Sequence, residues 1–142
     1  DADVFLEQQA GLTIAEIFAA EGEIGFRDRE SAIVKQLAAR EQLVVALGGG
    51  AILREENRQA LQGRGITIWL TASAETIFER MSTDPWTGQR RPNLTNTGGL
   101  AEVQELLQQR DPLYQAAADF SVDTEELSPA EVASRIVELV RG

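Results

Sequence analysis

Leu43-Val44-Val45-Ala46-Leu47, running into Gly48-Gly49-Gly50, is the stretch on which the fold reading turns. Five apolar residues rich in Val are too few for a helix, and the glycines end the run, so it reads as a buried strand entering a turn. Residues from about Leu53 to Gln62 read as a helix closed by Gly63 and Gly65, and Ile66 to Leu70 as a second buried strand. Strand, helix and strand in succession indicate a parallel sheet whose crossover helices cover it.

Downstream, Ser73 opens a helix from about Ala74 to Met81, and a helix from about Leu100 continues through Pro112 to Ala118. Phe120 to Val122 reads as a third short strand. Ser128-Pro129-Ala130-Glu131 combines N-cap, N1 proline and N3 glutamate at the start of the last helix. Upstream, Thr13 and Glu16 form a capping box for a helix that stops at Gly22. A second helix, about Ile24 to Arg40, carries Ile33, Val34, Leu37 and Ala38 on one face. Residues 84–99 lack apolar period and hold Trp86, Arg90 and Arg91, the composition of a lid or binding loop. The reading is one α/β domain over 1–142, a parallel sheet covered by helices on both faces. Three strands are few for that architecture, and with Asp1 rather than Met at the start, the expectation is that the front of the domain lies upstream.

The 142 residues include no Cys and no His, which leaves acid-base work to Asp, Glu, Tyr or amines. Net charge is -10, with Lys35 the single lysine and every other cation an arginine. Such a surface repels a nucleic-acid backbone, whereas a small anion can still be gripped by a few inward arginines. No apolar run spans a membrane, no signal peptide is apparent, and the default location is the cytoplasm.

Several charges fall on apolar faces. Phe26, Arg27 and Glu30 continue the second helix's stripe, so Arg27 and Glu30 are either a solvated i, i+3 pair or a guanidinium oriented in a cleft for an anion. Arg110 occupies an apolar slot in the series Val103, Leu107, Arg110, Tyr114, and either faces inward or snorkels out toward Asp111. Gly48, Gly49 and Gly50 are an ordinary turn or a place where a ligand meets bare backbone N–H groups at the sheet's carboxyl edge. In an extended Asp1-Ala2-Asp3 both carboxylates point one way, as a polar terminus or as a pair able to hold Mg²⁺ and accept a hydroxyl proton. Arg80, Arg90 and Arg91 are solvated, or bring positive charge over a phosphoryl group when the loop closes. Trp69 reads as core.

In this order and spacing, Asp1-Ala2-Asp3, Gly11 with Ile14 and Ile17-Phe18, Gly22-Glu23 with Phe26-Arg27 and Glu30, Gly48-Gly49-Gly50, Arg91-Pro92, Arg110-Asp111-Pro112-Leu113-Tyr114 and Val122-Asp123-Thr124 resemble the shikimate kinases of the P-loop, nucleoside-monophosphate-kinase-like group. The resemblance implies a three-layer α/β/α fold and ATP-dependent phosphorylation of the 3-hydroxyl of shikimate, with ATP and Mg²⁺ required, in a monomer. It places substrate-binding helices at about 12–40 and a lid at about 84–99. Arg27 and Arg110 would clamp the shikimate carboxylate, with Glu30 orienting Arg27 and Gly48, Gly49 and Gly50 offering backbone. Asp3 would hold the reacting hydroxyl and act as its base, Asp1 would position Mg²⁺ through water, Arg91 would reach the transferred phosphate, and Arg80 and Pro129 would border adenine.

Three departures stand out. Asp84-Pro85-Trp86-Thr87-Gly88 lengthens the lid, and Asn93 stands where the family often has Leu. No G-x-x-x-x-G-K-[ST] occurs, and Lys35 lies in a helix without preceding glycines. The expectation is an upstream strand, P-loop, helix and second strand ending just before Asp1. Two alternatives stay open: a non-catalytic module that retains the shikimate cleft, and a related small-molecule kinase such as a gluconate kinase.

Overall fold

Asp1 starts the first helix by capping it: its Oδ1 accepts from the N–H groups of Asp3 and Val4 at 2.8 and 3.1 Å. The computed structural model describes residues 1–84 and 99–142, and these form α1 Ala2–Ala10, α2 Ile14–Ala38, α3 Glu55–Leu61, β1 Ile68–Thr71, α4 Ala74–Thr83, α5 Gly99–Ala117, β2 Phe120–Asp123 and α6 Pro129–Arg141. Asp1-Ala2-Asp3 is therefore not extended as expected. An aspartate whose carboxylate can satisfy two orphan N–H groups favours the N-cap, and helical residues two apart point to different sides.

Both expected capping boxes form. Thr13 exchanges hydrogen bonds of 3.1 Å with Glu16, and Ser128 accepts from Glu131 N–H at 3.2 Å while donating its own N–H to the Glu131 carboxylate at 2.7 Å. These bonds hold the Glu131 carboxyl below the usual range, the Ser128 N–H contributing most. The two upstream helices are one hydrogen-bonded element broken at Gly22, whose φ of 72° and ψ of -173° suit only glycine. The break redirects the chain so that both halves of α2 face one core. Ile14, Ile17, Phe26 and Ile33 pack there with Ala2 and Leu6, and the Phe18 and Phe26 rings stack with centroids 4.8 Å apart. Burying a side chain such as Phe26 contributes about 1.5–3 kcal/mol.

β1 and β2 pair in parallel, Ile68 opposite Phe120 and Leu70 opposite Val122, and helices surround this open sheet in an α/β/α arrangement. Asp119 fastens one end, its carboxylate accepting from Thr67 N–H at 2.7 Å; Thr124 N–H fastens the other by donating to Thr71 C=O at 2.8 Å. The strand expected over Leu43–Leu47 does not form. A strand exists through its ladder, and among the described residues none lies alongside this run; its one regular tie is Ala2 N–H to Ala46 C=O at 2.9 Å. Leu43, Val44 and Val45 are exposed, and only Leu47 packs on the core. Apolar content alone suggested pairing that the described chain does not provide. Trp69, expected in the core, is half-buried and tilts against Tyr114 at 5.7 Å. No helix of the described residues is long and apolar enough to cross a membrane.

Candidate functional site

Arg27 is turned inward. On the second half of α2 its side chain is 11% exposed, with Nη1 2.8 Å from Oε1 of Glu30, itself 5% exposed. The guanidinium carbon lies 5.3 Å from the centre of the Phe26 ring. Burial of the pair calls for good geometry, because each charge has left water. Nη1 is committed to Glu30, whereas Nη2 has only a 3.6 Å contact with exposed Glu23 and the buried Nε–H has no acceptor among the described residues. Nε and Nη2 form one edge of the guanidinium, the edge that grips a carboxylate with two parallel bonds.

Against this guanidinium lies Gly50. A Cβ there would sit 2.3 Å from Nη1 of Arg27 and 2.6 Å from its Cζ, so only a glycine allows the contact as it stands. At Gly49 a Cβ would meet the Tyr114 hydroxyl at 3.0 Å and Nη1 of Arg110 at 3.3 Å. Arg110 and Tyr114, one turn apart on α5, thus reach the glycine turn from the same side. Arg110 is half-buried, and Pro112 does not end the helix. The turn is held from below by α3: Asn57 donates to Ala51 C=O at 2.8 Å, and Arg58 to Ile52 and Leu53 C=O at 2.7 and 3.0 Å. Ala51 N–H closes back on Gly48 C=O at 3.0 Å. The 2.9 Å bond from Ala2 to Ala46 brings the start of α1, with Asp1 and Asp3, beside the chain entering this turn.

A second polar group joins α4 to the loop after β2. Arg80, exposed, donates from Nη1 to the Thr124 hydroxyl and from Nη2 to Thr124 C=O, both at 2.8 Å. Glu125 accepts from the Thr76 hydroxyl, from Ser73 N–H at 2.8 Å and from the Ser73 hydroxyl at 2.9 Å. These bonds, Thr76's first, hold its carboxyl below the usual range. Pro129 is exposed at the first position of α6, a few residues beyond Thr124. An exposed planar guanidinium and a proline ring suit the two faces of a purine. Asp1 caps with Oδ1 alone, which leaves the other carboxylate oxygen for a hydrated cation; no cluster of three or more acidic ligands occurs among the described residues. Arg90, Arg91, Trp86 and the expected lid lie outside the described residues, apart from Asp84 at the end of α4 and Gly99 at the start of α5.

Sequence reading assigned no role to Asn57, Arg58, Tyr114 or Glu125. Tyr114 carried a signal, its i+4 spacing from Arg110; Asn57 and Arg58 bond carbonyls five and six residues upstream and Glu125 the far-off Ser73 and Thr76, spacings that no helix or strand period marks.

A parallel α/β protein with a buried arginine edge open on a glycine turn has the chemistry to hold a small anionic ligand. The shikimate kinase family model matches residues 1–141, and the chain belongs to that family. Among curated relatives, the shikimate kinase of Rhodopirellula baltica is 43% identical over 137 residues, covering 96% of this chain and 73% of the relative. That of Chromohalobacter salexigens is 42% identical over 137 residues, covering 96% and 74%. Among solved structures, shikimate kinase from Acinetobacter baumannii in complex with shikimate matches with a TM-score of 0.92 at 36% identity, covering 99% of this chain and 76% of that one. Shikimate kinase from Aquifex aeolicus matches with a TM-score of 0.81 at 32% identity, covering the whole of this chain and 80% of that one.

Proposed function

We propose that these 142 residues form the shikimate-binding part of a shikimate kinase, and that alone they bind the acceptor without transferring phosphate to it. One observation carries the reading: Glu30 occupies Nη1 of buried Arg27 and leaves the Nε–Nη2 edge without a close acceptor beside Gly50. A carboxylate supplies the missing acceptor, and Arg110, whose Nη1 reaches the neighbouring Gly49, a second cation. The shikimate found with the Acinetobacter relative supports that acceptor.

For the protein as its gene encodes it, we propose ATP-dependent phosphorylation of the shikimate 3-hydroxyl, in the cytoplasm and as a monomer. Phosphoryl transfer asks the protein chiefly for positioning and charge stabilisation. Asp3 holds the hydroxyl and takes its proton, Arg91 faces the transferred phosphate, and Arg80 and Pro129 flank the adenine. Mg²⁺, positioned by Asp1 through water, supplies charge neutralisation when bound. Gly48, Gly49 and Gly50 present backbone to the acceptor. The cradle that would hold the phosphates, G-x-x-x-x-G-K-[ST], is not among these 142 residues, which is why binding and transfer are assigned separately.

Two measurements test this. Calorimetry of the 142-residue chain with shikimate is expected to show binding, and no heat of binding sinks the acceptor reading. ADP release by the gene-encoded protein is expected with shikimate and not with gluconate or without acceptor; equal release in all three removes the shikimate assignment.

A further inference from the structure

Tyr114 donates its hydroxyl to Gly49 C=O at 2.6 Å, joining α5 to the glycine turn across 65 residues of sequence. Its ring rests against Trp69 on β1, centroids 5.7 Å apart and planes tilted by 36°. One contact fixes the ring from the sheet side and the other ties its tip to the turn.

We propose that Tyr114 is a positioning residue for the acceptor: its hydroxyl sets the plane of the Gly49–Gly50 peptide and so aims the Gly50 N–H at the ligand carboxylate. The proposal rests on the shikimate-binding reading of this site. In a trans peptide the C=O and the next N–H point in opposite directions, so holding one orients the other. Glycines resist such orientation least, since they have no side chain to restrict φ and ψ. The peptide that most needs an external tie is therefore the one that carries it. No described residue accepts from the Gly50 N–H, and Arg27 lies against the same glycine, its Nη2 2.5 Å from where a Gly50 Cβ would stand. Arg110 shares the side from which Tyr114 approaches, its Nη1 within 3.3 Å of where a Gly49 Cβ would stand. The tyrosine thus also occupies space beside Arg110 and limits how far that guanidinium can swing from the turn.

Tyr114→Phe keeps the ring on Trp69 and removes only the hydroxyl. In the gene-encoded protein, the shikimate KM should rise about three- to tenfold, the range one modest hydrogen bond commands. The ATP KM should hold and kcat change less than the shikimate KM. A merely structural role would instead raise both KM values and lower the melting temperature. Calorimetry with shikimate alone, without nucleotide, should show the same loss of affinity. A parent with shikimate binding and a variant with the parent's shikimate KM overturn the proposal alone. A parent that binds no shikimate overturns the acceptor reading and this proposal together. A parallel rise in both KM values also refutes it. Should Tyr114→Phe fold poorly, Gly49→Ala in the parent gives a second reading: its Cβ meets the Tyr114 hydroxyl at 3.0 Å and Nη1 of Arg110 at 3.3 Å, and it should raise the shikimate KM while the ATP KM holds. A parental shikimate KM in Gly49→Ala counts against the mechanism.

Discussion

Gly50→Ala concentrates the reasoning in one methyl group. Its Cβ would lie 2.3, 2.5 and 2.6 Å from Nη1, Nη2 and Cζ of Arg27, whereas ordinary contact begins near 3.4 Å. The guanidinium must therefore retreat by roughly 1 Å, since the overlap is repulsive at every one of these distances. Arginine ends usually move freely, but this one is tied to Glu30 Oε1 at 2.8 Å, and the buried Glu30 Oε2 has no hydrogen-bond partner among the described residues. Hydrogen bonds weaken beyond about 3.2 Å, so a shift of that size strains the tie. Outright loss of a buried partner costs about 3–5 kcal/mol; a displaced one should cost about 1–3 kcal/mol. The backbone at Gly50 is outside the left-handed region, so alanine itself meets no conformational obstacle. Urea unfolding should show that loss, and calorimetry with shikimate a fall in affinity of about tenfold or more, tenfold being about 1.4 kcal/mol. Gly65→Ala is the control: nothing lies within 4 Å of its Cβ, and stability should hold or rise slightly. If Gly50→Ala matches the parent in both stability and affinity, the picture of a guanidinium locked between Glu30 and the glycine turn is wrong.

Gly22→Ala tests the break in α2. At φ 72° and ψ -173° a side chain is strained although nothing lies within 4 Å, and denaturant unfolding should show a loss of about 1–3 kcal/mol. Glu125 tests the join between α4 and the loop after β2. Its carboxyl is lowered in the fold, so its contribution is present above the unfolded value of about 4.3 and fades as pH falls through the lower folded value. Melting temperature followed from pH 7 to pH 3 should thus fall less steeply in Glu125→Gln than in the parent; parallel curves would remove the carboxylate from the join. Arg91→Ala in the gene-encoded protein should lower kcat with little change in shikimate affinity, and a parental turnover would take Arg91 out of the phosphoryl site.

Local chemistry made much of the fold legible. Thr13 with Glu16 and Ser128 with Glu131 announce helix starts because a cap is satisfied within four residues, and both appear as read. Ile33 and Val34 reveal the inner face of α2 through helical period, and both are buried. The second and third strands were placed to within a few residues, since β1 is mostly apolar and β2 alternates Phe120 and Val122 with polar residues. Asp1-Ala2-Asp3 was misread because three residues carry no period, and an N-cap is recognised by the helix it starts.

By itself, then, the sequence determined where the helices with capping boxes begin, which faces are apolar, that cations other than Lys35 are arginines, and which arginines sit on apolar faces. Those properties depend on neighbours three or four residues away. Tertiary structure alone decided that Arg27 is inward rather than solvated, that Gly50 is its floor, that Tyr114 ties the turn, and that Leu43–Leu47 forms no strand among the described residues. Each of these rests on what chain distant in sequence supplies: a packing surface, a carbonyl to accept a bond, or a ladder partner. A linear pattern records a residue's capacity for such contacts, and only packing determines whether the contact is made.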